Sequence, residues 1–378
     1  MSRSYRIVLV LLAAGLASSA AAQTARPAGG PKGAEGAPPQ GPPAVMAPAG
    51  SFALSGAIYL FSYVPNLRGV KDNFEIYAYL INVDATSRDG KYGLHVQTRF
   101  RDSKLRAFFL SNMWFQEAYA YRKTPAGDVR VGKFYRKVGI LWDDSFFGDV
   151  QYFNGLKLNP DYGAELVGTR TVSGKLFVDY SGQFLANNDH VAGSLFGRDV
   201  ESDPNARLLE AWTGRVVPTW KLGHGTSLGV GVSGLVGRIE RTARVFPTTD
   251  WSFGIRQGAA DVTFTGGPSI SYAEILRQTG EPFDAAHRES RPGYDTATYL
   301  LLGTRWQVLP WLNARINYSQ AEYDGQKATE RETVPGLLFK LDKSLYCFVE
   351  YDYWKIDPDL GPDLFVDKSF NFVANYNF

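Results

Sequence analysis

The sequence contains a single cysteine, Cys347, in 378 residues. An exported fold held by disulfides carries several cysteines, usually an even number, so cross-links are not what holds this chain together. Histidine is scarce as well. His95, His190, His224 and His287 are scattered without the spacing of a metal site, and no metal or other cofactor is expected. Beyond the first segment there is no run of 18 or more apolar residues, which excludes a helical membrane protein. A basic excess is also missing. With 40 Lys+Arg against 38 Asp+Glu, bulk attraction to nucleic acid is not expected and charge must act locally.

What is present begins at the N-terminus. Arg3 and Arg6 form a basic region, Ile7 to Leu16 is almost unbroken in apolar character, and Ala20-Ala21-Ala22 offers a small-residue cleavage site. This pattern predicts a secretory signal peptide over residues 1–22. Without its two arginines the remainder carries 38 bases and 38 acids. Residues 23–50 are rich in Pro, Gly and Ala and cannot bury a core, so a disordered periplasmic linker is expected there.

From Ser51 to Phe378 the pattern is all-β. Segments of about ten residues alternate in polarity between turn residues, the signature of a transmembrane antiparallel β-barrel. Sixteen segments are predicted: 51–64, 72–83, 91–101, 113–123, 128–138, 161–171, 174–185, 206–221, 226–239, 255–265, 268–279, 294–308, 311–323, 329–341, 344–356 and 367–378. Some connections are tight, such as Thr124-Pro125-Ala126-Gly127, Val172-Ser173, Gly266-Gly267, Leu309-Pro310 and Asp342-Lys343. Others are long and polar, near 139–160, 186–205, 240–254, 280–293 and 357–366. The two kinds tend to alternate along the chain, as short periplasmic turns and longer extracellular loops do in such barrels.

Successive side chains of a strand point to opposite faces. In the last segment Phe370, Phe372, Ala374, Tyr376 and Phe378 oppose Asn371, Asn375 and Asn377. Leu312, Ala314, Ile316 and Tyr318 likewise oppose Asn313, Arg315, Asn317 and Ser319, and Cys347 falls on an apolar face as a small hydrophobe. A Lys or Arg facing hydrocarbon costs about 2–4 kcal/mol at the midplane, so the charged faces must line a wet lumen. Trp114, Trp220, Trp306, Trp311 and Trp354 lie near segment ends, where aromatic girdles meet the lipid boundary. The segment from Pro268 to Thr279 does not alternate cleanly, and its faces stay unassigned.

The chain ends in Asn375-Tyr376-Asn377-Phe378. A terminal Phe preceded by aromatics at alternate positions resembles the C-terminal signature of bacterial outer-membrane proteins. That resemblance implies recognition by the barrel-assembly machinery. The stretch Glu117-Ala118-Tyr119-Ala120-Tyr121 followed by Val129-Arg130-Val131-Gly132-Lys133-Phe134 resembles part of the phosphate-selective porin type, over about twenty residues. The overall plan resembles the sixteen-stranded outer-membrane porins. What this implies is a passive, water-filled channel for small polar or charged solutes, embedded in outer-membrane lipid and often a homotrimer.

The connection after the fifth segment, Gly139 to Gly155, carries Trp142, Phe146, Phe147, Tyr152 and Phe153. In the porins it resembles, this third loop folds inward and narrows the barrel, and the barrel wall offers its aromatics something to pack against. Asp143, Asp144 and Asp149 are then the acidic side of a constriction. Arg99, Arg101, Arg305 and Arg315, on inferred lumen faces, are the basic side. Opposed charges across a narrow channel create a transverse field that orders polar solutes. Two other readings stand beside the channel. An outer-membrane barrel enzyme, a protease or lipase, needs a catalytic signature, and none accompanies the histidines. A structural barrel with a closed lumen differs from a channel in conductance alone.

Overall fold

The computed structural model describes residues 45–47, 50–65, 73–100, 113–141, 149–153, 156, 160–188, 206–241, 251–279, 296–324, 328–358 and 365–378. A short strand, β1 (Val45–Ala47), precedes sixteen long ones. These are β2 (Gly50–Pro65), β3 (Asn73–Ser87), β4 (Tyr92–Phe100), β5 (Met113–Thr124), β6 (Gly127–Tyr135), β7 (Pro160–Ser173), β8 (Leu176–Asn188) and β9 (Ala206–Gly223). They continue as β10 (Thr226–Arg241), β11 (Trp251–Gly266), β12 (Ser269–Thr279), β13 (Ala297–Leu309), β14 (Leu312–Tyr323), β15 (Ala328–Lys340), β16 (Leu345–Pro358) and β17 (Phe365–Asn377). A one-turn helix, α1 (Val150–Phe153), lies between β6 and β7.

Each long strand pairs antiparallel with its sequence neighbours, and the ring closes where Ser369–Asn377 of β17 runs against Ala57–Pro65 of β2. Closure satisfies every ladder without leaving an edge, which a sheet in lipid requires. The predicted sixteen-stranded antiparallel barrel is therefore what forms. The end of the Pro/Gly/Ala-rich segment joins it. Val45, Met46 and Ala47 pair with Phe52, Ser51 and Gly50, and the first barrel strand already begins at Gly50.

The C-terminus completes the seam. Phe378 N–H donates to the Gly56 carbonyl and Gly56 N–H donates to the Phe378 carbonyl, each at 3.0 Å. The Phe378 ring lies over Gly56, where an added Cβ would meet its Cζ at 2.4 Å. Glycine is the residue that lets this ring lie down on the sheet.

The period of two sorts the faces. Phe370, Phe372, Tyr376 and Phe378 are exposed on the outside, while Asn371, Asn375 and Asn377 are buried inside. Trp220, Trp306 and Trp311 are exposed on the outer face near the tight turns, as expected of a girdle. Trp354 departs from the expectation. It shares the inward face of Glu350 and Asp352, is fully buried, and donates from Nε1 to Glu330 Oε1 at 2.7 Å. Strand parity outranks nearness to a strand end.

In the turn between β3 and β4, Ser87 Oγ donates to Asp89 Oδ1 at 2.6 Å and the Lys91 amide donates to the same oxygen at 3.1 Å. These two donors, the hydroxyl foremost, hold the exposed Asp89 carboxyl below the ordinary carboxylate range.

The lumen is not polar throughout. Leu185, Leu235, Ile239, Ile255, Leu276 and Tyr299 form one buried cluster on the inner wall of β8–β13. Apolar side chains inside a barrel need a cover, and Val138, Val150 and Leu156 of the β6–β7 connection belong to the same cluster.

Candidate pore constriction

The described parts of the third loop, residues 136–141, 149–153 and 156, are bound to the inner wall at successive strands. At its start Arg136 Nε donates to Asp161 Oδ2 of β7 at 3.0 Å, and Lys137 Nζ lies 2.7 Å from Glu165 Oε1. Arg130 of β6 reaches the other Glu165 oxygen at 3.2 Å, so one buried carboxylate holds two cations. The Lys137 amide donates to Gln183 Oε1 of β8 at 2.9 Å, and Gln183 Nε2 donates back to the Tyr135 carbonyl at 2.8 Å.

The chain then crosses to the next strands. The Gly139 amide donates to Ser233 Oγ of β10 at 2.8 Å, and the Ile140 amide donates to Glu274 Oε2 of β12. Gly139 has a φ of +66°, and an added Cβ would meet Glu274 Oε2 at 2.3 Å. Both its backbone conformation and its clearance call for glycine. Further on, the Val150 amide donates to Ser319 Oγ of β14 at 3.0 Å, and Ser319 Oγ donates to Glu332 Oε2 of β15 at 3.4 Å.

The loop therefore runs along the inner wall from β7 to β14, stapled by polar bonds and seated on the apolar cluster. Sequence reasoning found the inward fold but not its acceptors. Gln183, Ser233, Glu274 and Ser319 sit on lumen-facing positions, yet nothing local distinguishes them from other polar lumen residues.

The predicted site residues separate into groups. Asp143, Asp144 and Arg101 lie outside the described residues. Asp149 is buried at the start of α1, beside the Val150–Ser319 bond. Arg305 and Arg315 stand directly opposite each other on β13 and β14, on the side of the barrel that carries the loop. Arg315 is buried, forms an ion pair with Glu350, and lies 4.9 Å from the centre of the Phe348 ring. On the same face of β14 it is about 13 Å from Ser319, four residues at the strand rise.

Arg99 belongs to β4, eight strands from β12 in a ring of sixteen, so it stands across the lumen from the Glu274 anchor. Its guanidinium is 6.0 Å from the centre of the Tyr59 ring. The same wall carries His95, whose Nδ1 is 2.7 Å from Asp84 Oδ1, and Gln97, whose Nε2 donates to Asn82 Oδ1 at 2.9 Å. On the loop side, Arg215 grips Asp261 with two bonds of 2.6 and 3.0 Å. Charged side chains thus line both walls of the barrel, several of them held in ion pairs.

A closed sixteen-stranded antiparallel barrel with its third loop stapled inside has the fold of the outer-membrane porins. Solved structures bear this out. OmpF of Salmonella typhi in complex with daunomycin superposes with a TM-score of 0.62 at 12% identity, covering 89% of this chain and 100% of that one. The anion-selective porin from Comamonas acidovorans gives 0.59 at 10% identity, over 87% of this chain and 100% of that one. The outer-membrane channel DcaP of Acinetobacter baumannii gives 0.58 at 12% identity, over 88% of this chain and 99% of that one. No protein-family model matches the chain, and no curated protein matches it significantly in sequence. The likeness is one of architecture.

Proposed function

We propose that the protein is a passive outer-membrane porin whose third loop narrows a water-filled channel for small polar or charged solutes. The observation that carries this reading is the loop itself. Four of its backbone amides are satisfied by lumen-facing side chains on four strands. A loop held this way constricts a lumen without filling it with a folded domain. The expected signal peptide over 1–22, the periplasmic linker, recognition of Phe378 by the assembly machinery and a trimeric state fit this reading and stand with it as proposals.

Planar-bilayer recording of the refolded mature protein tests the function. Discrete, voltage-independent open steps are expected. An absence of conductance from correctly folded barrels would convert the reading to a structural barrel with a closed lumen. Turnover of ester or peptide probes by the purified protein would favour an enzyme instead.

In the same proposal the constriction sets Asp143, Asp144 and Asp149 against Arg99 and Arg101, with Arg305 and Arg315 beneath the loop on its own side. The double variant Asp144→Ala, Arg99→Ala removes one charge of each sign. Its single-channel conductance is expected to rise and its reversal potential in a KCl gradient to move, because charges lining a narrow pore set ion preference. If both quantities match the wild type, neither residue belongs to the narrowest part.

A further inference from the structure

Arg256 of β11 points out of the barrel, is exposed, and has no hydrogen-bond or ion-pair partner among the described residues. An outward charge cannot sit at the hydrocarbon midplane, where it costs about 2–4 kcal/mol, so it marks the headgroup boundary at the long-loop end. It does not stand alone. On the neighbouring strand Arg277 is also outward and half exposed, held by Asp324 Oδ2 at 2.5 Å and Thr298 Oγ1 at 2.6 Å.

Beside these arginines the outer wall changes character. Gly182, Gly214, Gly234 and Gly258, from β8, β9, β10 and β11, are paired in register side by side. Gly258 is in turn paired with Arg277, so the row of glycines runs straight into the arginine. A Cβ added at Gly182, Gly214 or Gly258 would meet nothing within 4 Å. The row is a trough of bare backbone about 14 Å long, three strand spacings. Its upper bank holds Phe184 and Trp212, their ring centres 4.8 Å apart, and then Arg256 in the same hydrogen-bond row. Its lower bank holds Val216, Val232 and Ala260.

We propose that this surface binds one phosphate-bearing lipid of the outer leaflet, its phosphate on Arg256 and Arg277 and one acyl chain along the glycine trough. The chemistry is complementary at both ends. A guanidinium binds phosphate through paired, charge-assisted hydrogen bonds. A trough of bare backbone between valine and aromatic banks gives a hydrocarbon chain close van der Waals contact. Of the outward acids nearby, Asp324 is held by Arg277, Glu210 by Arg238 at 3.6 Å, and Glu322 accepts from Gln320 Nε2 at 2.7 Å. A second copy of this face would therefore bring Arg256 another arginine rather than a counter-charge.

Native mass spectrometry of the full mature chain in detergent tests the proposal, with bisphosphorylated lipid A, phosphatidylcholine and inorganic phosphate as probes. Wild-type protein is expected to retain one lipid A in preference to phosphatidylcholine and to keep it when inorganic phosphate is added in excess. Arg256→Gln combined with Arg277→Gln is expected to weaken retention about tenfold or more, the loss of charge-assisted bonds worth at least one decade. Gly234→Leu fills the trough and should weaken retention while leaving heat-modifiable gel mobility and conductance unchanged, so failure here is separable from failure of the channel reading. Equal retention by the wild type and both variants overturns the proposal, as does displacement by phosphate alone. A change of subunit number in Gly234→Leu also overturns it, because the face would then be an interface between copies.

Discussion

Glu274→Ala is expected to release the third loop from the wall and to turn a steady channel into a wider, noisier one. The carboxylate accepts the Ile140 amide and packs beneath Gly139, and it is itself buried. Its loss leaves a buried amide without a partner, at a cost of about 1–3 kcal/mol. On an equilibrium between docked and undocked loop that is roughly a tenfold shift or more toward the undocked form. Single-channel recording should show larger mean conductance and frequent transitions between levels. Glu274→Gln keeps an acceptor oxygen and should behave close to the wild type. If Glu274→Ala conducts like the wild type, with the same noise, the loop is held by its apolar seat and not by this bond. Gly139→Val tests the same contact from the other side, because a branched side chain has no room against Glu274.

Removal of Phe378 is expected to have the largest effect on assembly. The residue contributes both bonds of the last antiparallel pair, to the Gly56 amide and carbonyl, and its ring covers that glycine. Backbone groups left unsatisfied toward lipid cost several kcal/mol each. The yield of folded barrel should fall about tenfold or more, since each ~1.4 kcal/mol is one decade. The fraction with heat-modifiable mobility on gels measures it. Phe378→Tyr keeps the ring and both backbone bonds and should assemble normally. Normal yield from the truncated chain would show that the seam between Ala57 and Pro65 suffices without its last pair.

Much of the fold was legible because the outer skin and the inner wall obey one simple rule. Over Leu312–Ser319 of β14, and over Phe370–Asn377 of β17 apart from the inward Val373, apolar residues alternate with polar ones, and the structure keeps both faces as the sequence implied. The rule fails where the inside is itself apolar. Leu276 and Tyr272 of β12 point inward beside Glu274 and Gln278, so the strand shows no contrast between its faces. The cause is tertiary, since that wall is apolar to receive Val138, Val150 and Leu156 from a loop more than a hundred residues away. Trp354 misled for a related reason. Its position near a strand end suggested a girdle, but its parity placed it inside, where Glu330 accepts its N–H. Of the candidate constriction, the inward course of the loop was legible, though Trp142, Phe146 and Phe147, which suggested it, lie outside the described residues and the observed seat is made by Val138, Val150 and Leu156. That Arg315 is held by Glu350 was not, because the partner lies on another strand, two ladders away, and strand pairing sets the distance.

The seam between β2 and β17 has a consequence for biogenesis. Every other long strand pairs with its neighbour in sequence, so hairpins can form one after another from local segments. Closing the ring instead joins residues some three hundred positions apart, and its outermost pair is Phe378 with Gly56. The entropy of that single loop closure falls at the end of folding, and until then two bare strand edges stay open to wrong partners. Barrel closure is thus a late, all-or-none step, and mispairing of those two edges is what competes with it.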